Sequence, residues 1–98
     1  MVIKIHRSYR TVVALCDAEL IGKKFEEGKM QLDIRENFYK DKEVSKDEAI
    51  KLLRRQLNED STFNIVGKES IQSAIEAGLI TKRSVHKIQN ITFTLILI

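Results

Sequence analysis

Proline is absent from the 98 residues and glycine occurs only four times. No linker or low-complexity tract can be placed and no internal repeat is visible, so the chain reads as one domain, residues 1–98. Cys16 is the single cysteine and cannot close an internal disulfide, which favours a reducing, cytoplasmic setting. The start of the chain lacks a long apolar region followed by a small-residue cleavage site, so no signal peptide is expected. The longest apolar tail, Leu95 to Ile98, is far too short to span a bilayer, and no membrane partner is expected. His6 and His86 are far apart, and neither has a Cys or His neighbour at ligand spacing, so no metal is expected. A Walker loop and a nucleophile-elbow glycine-serine pattern are both missing, and no cofactor is implied.

What is present is globular. A chain that is 43% hydrophobic and 32% charged is not disordered, and its length permits a real but modest core. The net charge is +3 and is unevenly spread. Residues 1–16 carry Lys4, Arg7 and Arg10 and no acidic side chain, and basic residues also prevail after residue 60. Two positive ends flank a slightly acidic middle. That permits binding to a polyanion without demanding it. The same dense Lys, Glu and Ile usage suits a thermophile surface rich in ion pairs.

Met1, Ile3 and Ile5 alternate with Val2, Lys4 and His6, as in a half-buried strand. After a polar turn, Arg7 to Arg10, the apolar run Thr11 to Cys16 predicts a strand buried on both faces, hairpin-paired to the first. Asp17 stands where a helix cap should be. The spacing of Leu20, Ile21, Lys24 and Phe25 predicts a helix to about Glu27, stopped by Gly28. Gly22 inside it costs about 1 kcal/mol against alanine. Close packing of another backbone is the favoured compensation, and ligand approach is the other. Lys29 to Arg35 predicts a strand with Met30, Leu32 and Ile34 inward. A charged loop, Lys40 to Val44, precedes the capping box Ser45-Lys46-Asp47-Glu48. Its helix reaches about Asn58, with Ala49, Ile50, Leu53 and Leu57 inward. Phe63, Ile65 and Val66 make a short strand. Ile71, Ala74 and Ile75 stripe the helix after Gly67-Lys68, which stops at Gly78 with Leu79 folded back. A basic loop, Thr81 to Ser84, leads to a strand over Val85 to Ile88, a turn at Gln89-Asn90 and a last strand to Ile98 that should be covered. The expected fold is a single compact α/β (α+β) domain, a mixed β-sheet of about five strands packed by three helices.

Chemistry has few places to sit. A thiolate at Cys16-Asp17 would be favoured by a helix dipole and opposed by the adjacent carboxylate; a small buried residue ending a strand is the plainer reading. Gly67-Lys68 places backbone N–H groups and a lysine at a helix start, which receives a phosphate readily, although an ordinary strand-to-helix turn explains it as well. Lys23, Lys82 and Arg83 are the nearest candidates to share a face with it. Glu26-Glu27 reads as surface, with a partner-binding role open. The basic clusters are Lys23 with Lys24, Lys82 and Arg83 with Lys87, and Arg7 with Arg10. Tyr9 lies between two arginines, and Phe38-Tyr39 is flanked by Arg35 and Lys40. An aromatic beside a cation can stack a base while the cation holds a phosphate. The plainer alternative is a side chain snorkelling over the core.

Three stretches, Val13 to Gly28, the strand through Leu32 to Phe38-Tyr39, and Asn64-Ile65-Val66-Gly67-Lys68 to Gly78-Leu79, resemble a small archaeal family, domain of unknown function 424. The segment from Cys16-Asp17 to Glu26-Glu27-Gly28 is the most specific of them. The resemblance implies a compact α/β domain, RNA binding and a role near translation or ribosome maturation, with no catalytic set to carry over. Within the matching motifs Asp17, Gly22, Lys23, Phe38, Asn64 and Gly67 stand out. The expected function is therefore non-catalytic binding of RNA or a ribosomal subunit by Lys23, Lys24, Gly67, Lys68, Lys82, Arg83, Lys87 and Arg10, with no DNA partner. The alternatives are a small enzyme using Cys16-Asp17 and a protein-binding adaptor.

Overall fold

The computed structural model describes residues 1–57 and 61–97. Strand β1 (Val2–His6) pairs antiparallel with β2 (Thr11–Cys16), the expected hairpin. Both faces of this pair are buried: Ile3, Val13 and Leu15 face one core, and Val2, Ala14 and Cys16 face another. Val2, expected outward, is therefore inward on the second face, and the alternation of the first strand separates two cores instead of core from water.

The expected helix over residues 17–27 does not form. A 3-10 turn spans Ala18–Leu20, and β3 (Lys24–Glu27) pairs antiparallel with β4 (Met30–Asp33) in a separate two-stranded sheet. Gly22 has φ +84°, which no right-handed helix accommodates, and its N–H donates to the Ile34 carbonyl. Gly28 is the turn of this hairpin, not a helix stop. The apolar spacing that imitated a helix belongs to two elements. Leu20 is buried on the 3-10 turn, and Phe25 packs from β3 opposite Leu32. Of the three residues expected inward on the next strand, Ile34 is buried and Leu32 half-buried, while Met30 is exposed.

Helix α1 (Glu36–Tyr39) is a single turn where no helix was expected; it drops Tyr39 into the second core. Edge strand β5 (Lys42–Glu43) pairs with β1. Helix α2 (Lys46–Gln56) opens with the expected box: Glu48 N–H donates to Ser45 Oγ at 3.2 Å, and Ser45 N–H to Glu48 Oε1 at 3.0 Å. The expected helix end, Asn58, lies outside the described residues.

Strand β6 (Ser61–Val66) runs parallel to β2, with Cys16 beside Val66. Helix α3 (Lys68–Glu76) follows and ends as expected. Gly78 has φ +80°, and Leu79 N–H reaches back to the Ala74 carbonyl. After a second 3-10 turn (Lys82–Ser84), β7 (His86–Ile88) and β8 (Ile91–Leu97) form a hairpin through Gln89-Asn90, both at positive φ.

The main sheet has the order β5-β1-β2-β6-β8-β7. It is mixed and has six strands rather than about five. Helices α2 and α3 cover one face over Leu53, Phe63, Ile65 and Ala74. The 3-10 turn, the β3–β4 hairpin and α1 cover the upper part of the other. The fold is thus the expected α+β domain with three helices, but α1 replaces the one expected at Asp17. The last strand is covered only in part, since Leu95 stays 69% exposed; Ile98 lies outside the described residues.

Candidate nucleic-acid interface

The carboxyl ends of the parallel pair β2 and β6 lie side by side, where an open α/β sheet tends to hold its ligand. Asp17 follows one strand and Gly67 the other. Asp17 is 3% exposed and caps a helix, though not the expected one. Its Oδ1 accepts from Ser70 N–H at 2.8 Å and Ser70 Oγ at 2.7 Å, and its Oδ2 from Glu69 N–H at 3.1 Å. Gly67, the residue before α3, has no side chain to offer the first-turn donors. The carboxylate of Asp17, far back in the chain, supplies the acceptor and the negative charge that a helix start favours. Gly67 is required there twice over. Its φ is +107°, and a Cβ would run into the Asp17 side chain. Of the N–H groups at this helix start, those of Glu69 and Ser70 are therefore already occupied, and Gly67 N–H itself donates to the Thr92 carbonyl at 2.8 Å.

Beside this cap lies a cavity of about 400 Å³, with Glu19, Lys68, Lys87, Asn90 and Thr92 on its walls. Lys87 pairs in register with Thr92, which brings it next to Gly67 and hence to Lys68. Gln89 secures that wall. Its N–H donates to Glu27 Oε1 at 3.2 Å, and its side-chain amide donates to the Glu26 carbonyl at 2.6 Å. Glu26-Glu27 therefore ties the small hairpin to the β7–β8 turn. Thr92 Oγ1 is buried without a hydrogen-bond partner among the described residues.

The other expected cations are dispersed. Lys82 and Arg83 are exposed on the second 3-10 turn, at the far end of β7 from the cavity, where Ser84 O accepts from Thr94 Oγ1. They are not the neighbours of Lys68 that the sequence suggests; Lys87 takes that place, because the β7–β8 hairpin folds it back. Lys23 is exposed beyond Gly22, and Lys24 pairs with Glu26 at 3.7 Å. Arg10 sits in the β1–β2 turn, the length of β2 away from Asp17, and is engaged within the protein. Phe38 stacks on His6 at 4.7 Å and meets the edge of Tyr39 at 5.0 Å, so its ring is used by the fold. Asn64 is half-buried in mid-β6 between Ala14 and Leu95. A methyl group at Gly22 would meet nothing within 4 Å, so the expected close packing of another backbone does not account for the glycine; the positive φ does.

Ion pairing divides the cations. Lys24, Arg35, Lys40 and Lys46 have carboxylate partners, the shortest being Lys46 to Glu76 at 2.6 Å. Among the described residues, Lys68, Lys82, Arg83 and Lys87 have none. Cys16 is wholly buried and donates to the Asp17 carbonyl. Burial pushes its thiol up to about 12, and the charges of Asp17 and Glu19 add to this. That environment opposes the thiolate a nucleophile would need. Among the described residues no group of three His, Cys, Asp or Glu could hold a metal, and no helix is long and apolar enough to cross a membrane.

No curated protein matches the chain. Among solved structures it is similar to the crystal structure of an uncharacterized conserved protein from Methanopyrus kandleri. The TM-score is 0.85 at 27% identity, over 97% of this chain and 88% of that one. The family model described as protein of unknown function (DUF424) matches residues 6–98, nearly the whole domain built around Asp17 and Gly67, and the chain therefore belongs to that family.

Proposed function

We propose that this protein binds RNA or a ribonucleoprotein without catalysing a reaction, in the cytoplasm and near translation or ribosome maturation. The observation that carries the reading is the pairing of Lys68 with Lys87 on one cavity at the carboxyl ends of β2 and β6, both without a carboxylate partner among the described residues. An unpaired, exposed ammonium costs little to move from its counterions to a phosphate, and the released counterions drive the association. Lys82 and Arg83, on the 3-10 turn before β7, lie apart from this cavity and offer a second basic patch to a longer strand. Asp17 does not repel such a strand strongly, since its carboxylate is turned inward onto the start of α3. Glu19, on the cavity rim, works against it.

The test is binding of single-stranded RNA fragments across a salt series. Lys68→Ala and Lys87→Ala should each flatten the slope of log affinity against log salt by about 0.7, and Lys51→Ala on α2 should matter less. Glu19→Gln should tighten binding. Wild type with no more affinity than an inert protein of equal charge would remove the reading. Sedimentation of native extract on a sucrose gradient then asks whether the chain travels with ribosomal subunits.

A further inference from the structure

The chain has few aromatic residues, and the structure uses nearly all of them. Phe63 is fully buried, Tyr39 is 5% exposed, Phe38 stacks on His6, and Phe25 and Phe93 pack against the second core. Tyr9 is the exception at 107% exposure, which is more solvent than a free reference side chain meets. It occupies the turn between β1 and β2, where residues 7–10 are all exposed. Ser8 Oγ donates to the Arg10 carbonyl at 3.2 Å, a bond that spans Tyr9 and closes the turn. A phenol held there contributes nothing to the core. Both of its faces are open.

The surroundings select what could lie on it. No acidic residue occurs in residues 1–16, and Arg7, two positions before Tyr9 in the same exposed turn, has no ion pair among the described residues. An aromatic face flanked by a cation matches a base joined to its own phosphate: the base gains stacking while the cation neutralises the backbone. A base inside a duplex is stacked on both faces by its neighbours and cannot lie on the ring. We infer that Tyr9 is a stacking platform for an unpaired base of a single-stranded RNA, with Arg7 on the adjoining phosphate. This rests on the RNA-binding reading above. It adds a second contact, at the opposite end of β2 from Lys68 and Lys87, and states that the ligand is single-stranded where it meets the turn.

Stacking and counterion release leave different marks. Losing a stacking ring lowers affinity without changing the number of phosphates neutralised, so the salt slope stays put. The probe is a mixed-sequence single-stranded oligoribonucleotide longer than the roughly 4–16 nucleotides that one module covers, with its perfect duplex as a second arm. Tyr9→Ala should weaken single-strand binding roughly 5- to 150-fold at every salt concentration with an unchanged slope. Tyr9→Phe should bind as wild type does, and duplex affinity should be the same in all three. Thermal midpoints should also agree, since the ring touches no core residue. Wild-type affinity in Tyr9→Ala, an equal loss on the duplex, or a flattened slope would each overturn the inference. Tyr9→Ala that keeps its RNA affinity but no longer sediments with ribosomal particles would make the ring a protein anchor and overturn it too. If wild type binds with a slope that depends on Lys68 and Lys87, such a failure leaves the wider RNA reading intact. If wild type binds no RNA, both fall together.

Discussion

Asp17 and Gly67 form one unit although about fifty positions of chain separate them. The carboxylate holds Glu69 N–H, Ser70 N–H and Ser70 Oγ, and the missing Cβ of Gly67 makes room for it. Removing the cap leaves buried donors without an acceptor. Asp17→Ala should therefore cost about 2 kcal/mol or more in urea unfolding, and Asp17→Asn less, because one amide oxygen can still accept. Gly67→Ala should cost more than Gly78→Ala. Both positions have positive φ, but only at Gly67 does a methyl meet another residue. Equal losses would mean that the crowding by Asp17 is relieved at no cost. The capping role of Asp17 was legible in the sequence; its helix was not. One signal did point there. A helix opening on glycine lacks a side-chain cap, and its buried first turn has to find an acceptor somewhere.

At the scale of elements, the stretch from Asp17 to Asp33 is where pattern and structure part. Leu20, Ile21 and Phe25 repeat at a spacing that fits a helix, in which Gly22 would be a tolerated defect. Gly22 is instead the reason there is no helix. Its left-handed φ redirects the chain into β3, and the β3–β4 register then sets Phe25 against Leu32. Gly22→Ala should destabilise the protein by about 1–2 kcal/mol, the cost of that backbone region for a residue with a Cβ. Gly22→Asn should lose less, because asparagine tolerates the left-handed region. A gain in stability for the alanine variant would contradict the observed turn. Local signals worked where they were complete within a few residues. The capping box at Ser45 and the glycine stop at Gly78 are of this kind. The β3–β4 pairing is no less local in sequence, but its apolar residues are too few to separate a period of 3.6 from a period of 2.

For the whole molecule, burial of titratable groups predicts an alkaline limit. Burial pushes the Cys16 thiol from 9.0 up to about 12, and the Tyr39 phenol from 10.0 up to about 12. Both pKa values are raised in the fold, so the folded protein keeps protons that the unfolded chain releases. Their contribution is fully present below pH 9 and declines as pH rises toward about 12. Unfolding free energy should fall across that window. Cys16→Ala and Tyr39→Phe should each flatten the decline, whatever they do to stability at neutral pH. Thiol reagents should label Cys16 slowly in the native state, and rapid labelling near neutral pH would contradict its burial.

Local sequence was enough for the α+β class, the first hairpin, the doubly buried second strand, and the helices that open at Ser45 and Gly67. Each depends on contacts a few residues apart or on a run of apolar side chains. Three features came from packing across the whole chain: which helix Asp17 caps, that Lys87 rather than Lys82 joins Lys68, and that Phe38 is consumed by packing while Tyr9 is not. The first two follow from the parallel pairing of β2 with β6 and from the fold-back of β7 on β8. The third follows from His6 of β1 meeting α1. Such pairings are set by which faces can be buried together, and no local spacing encodes that.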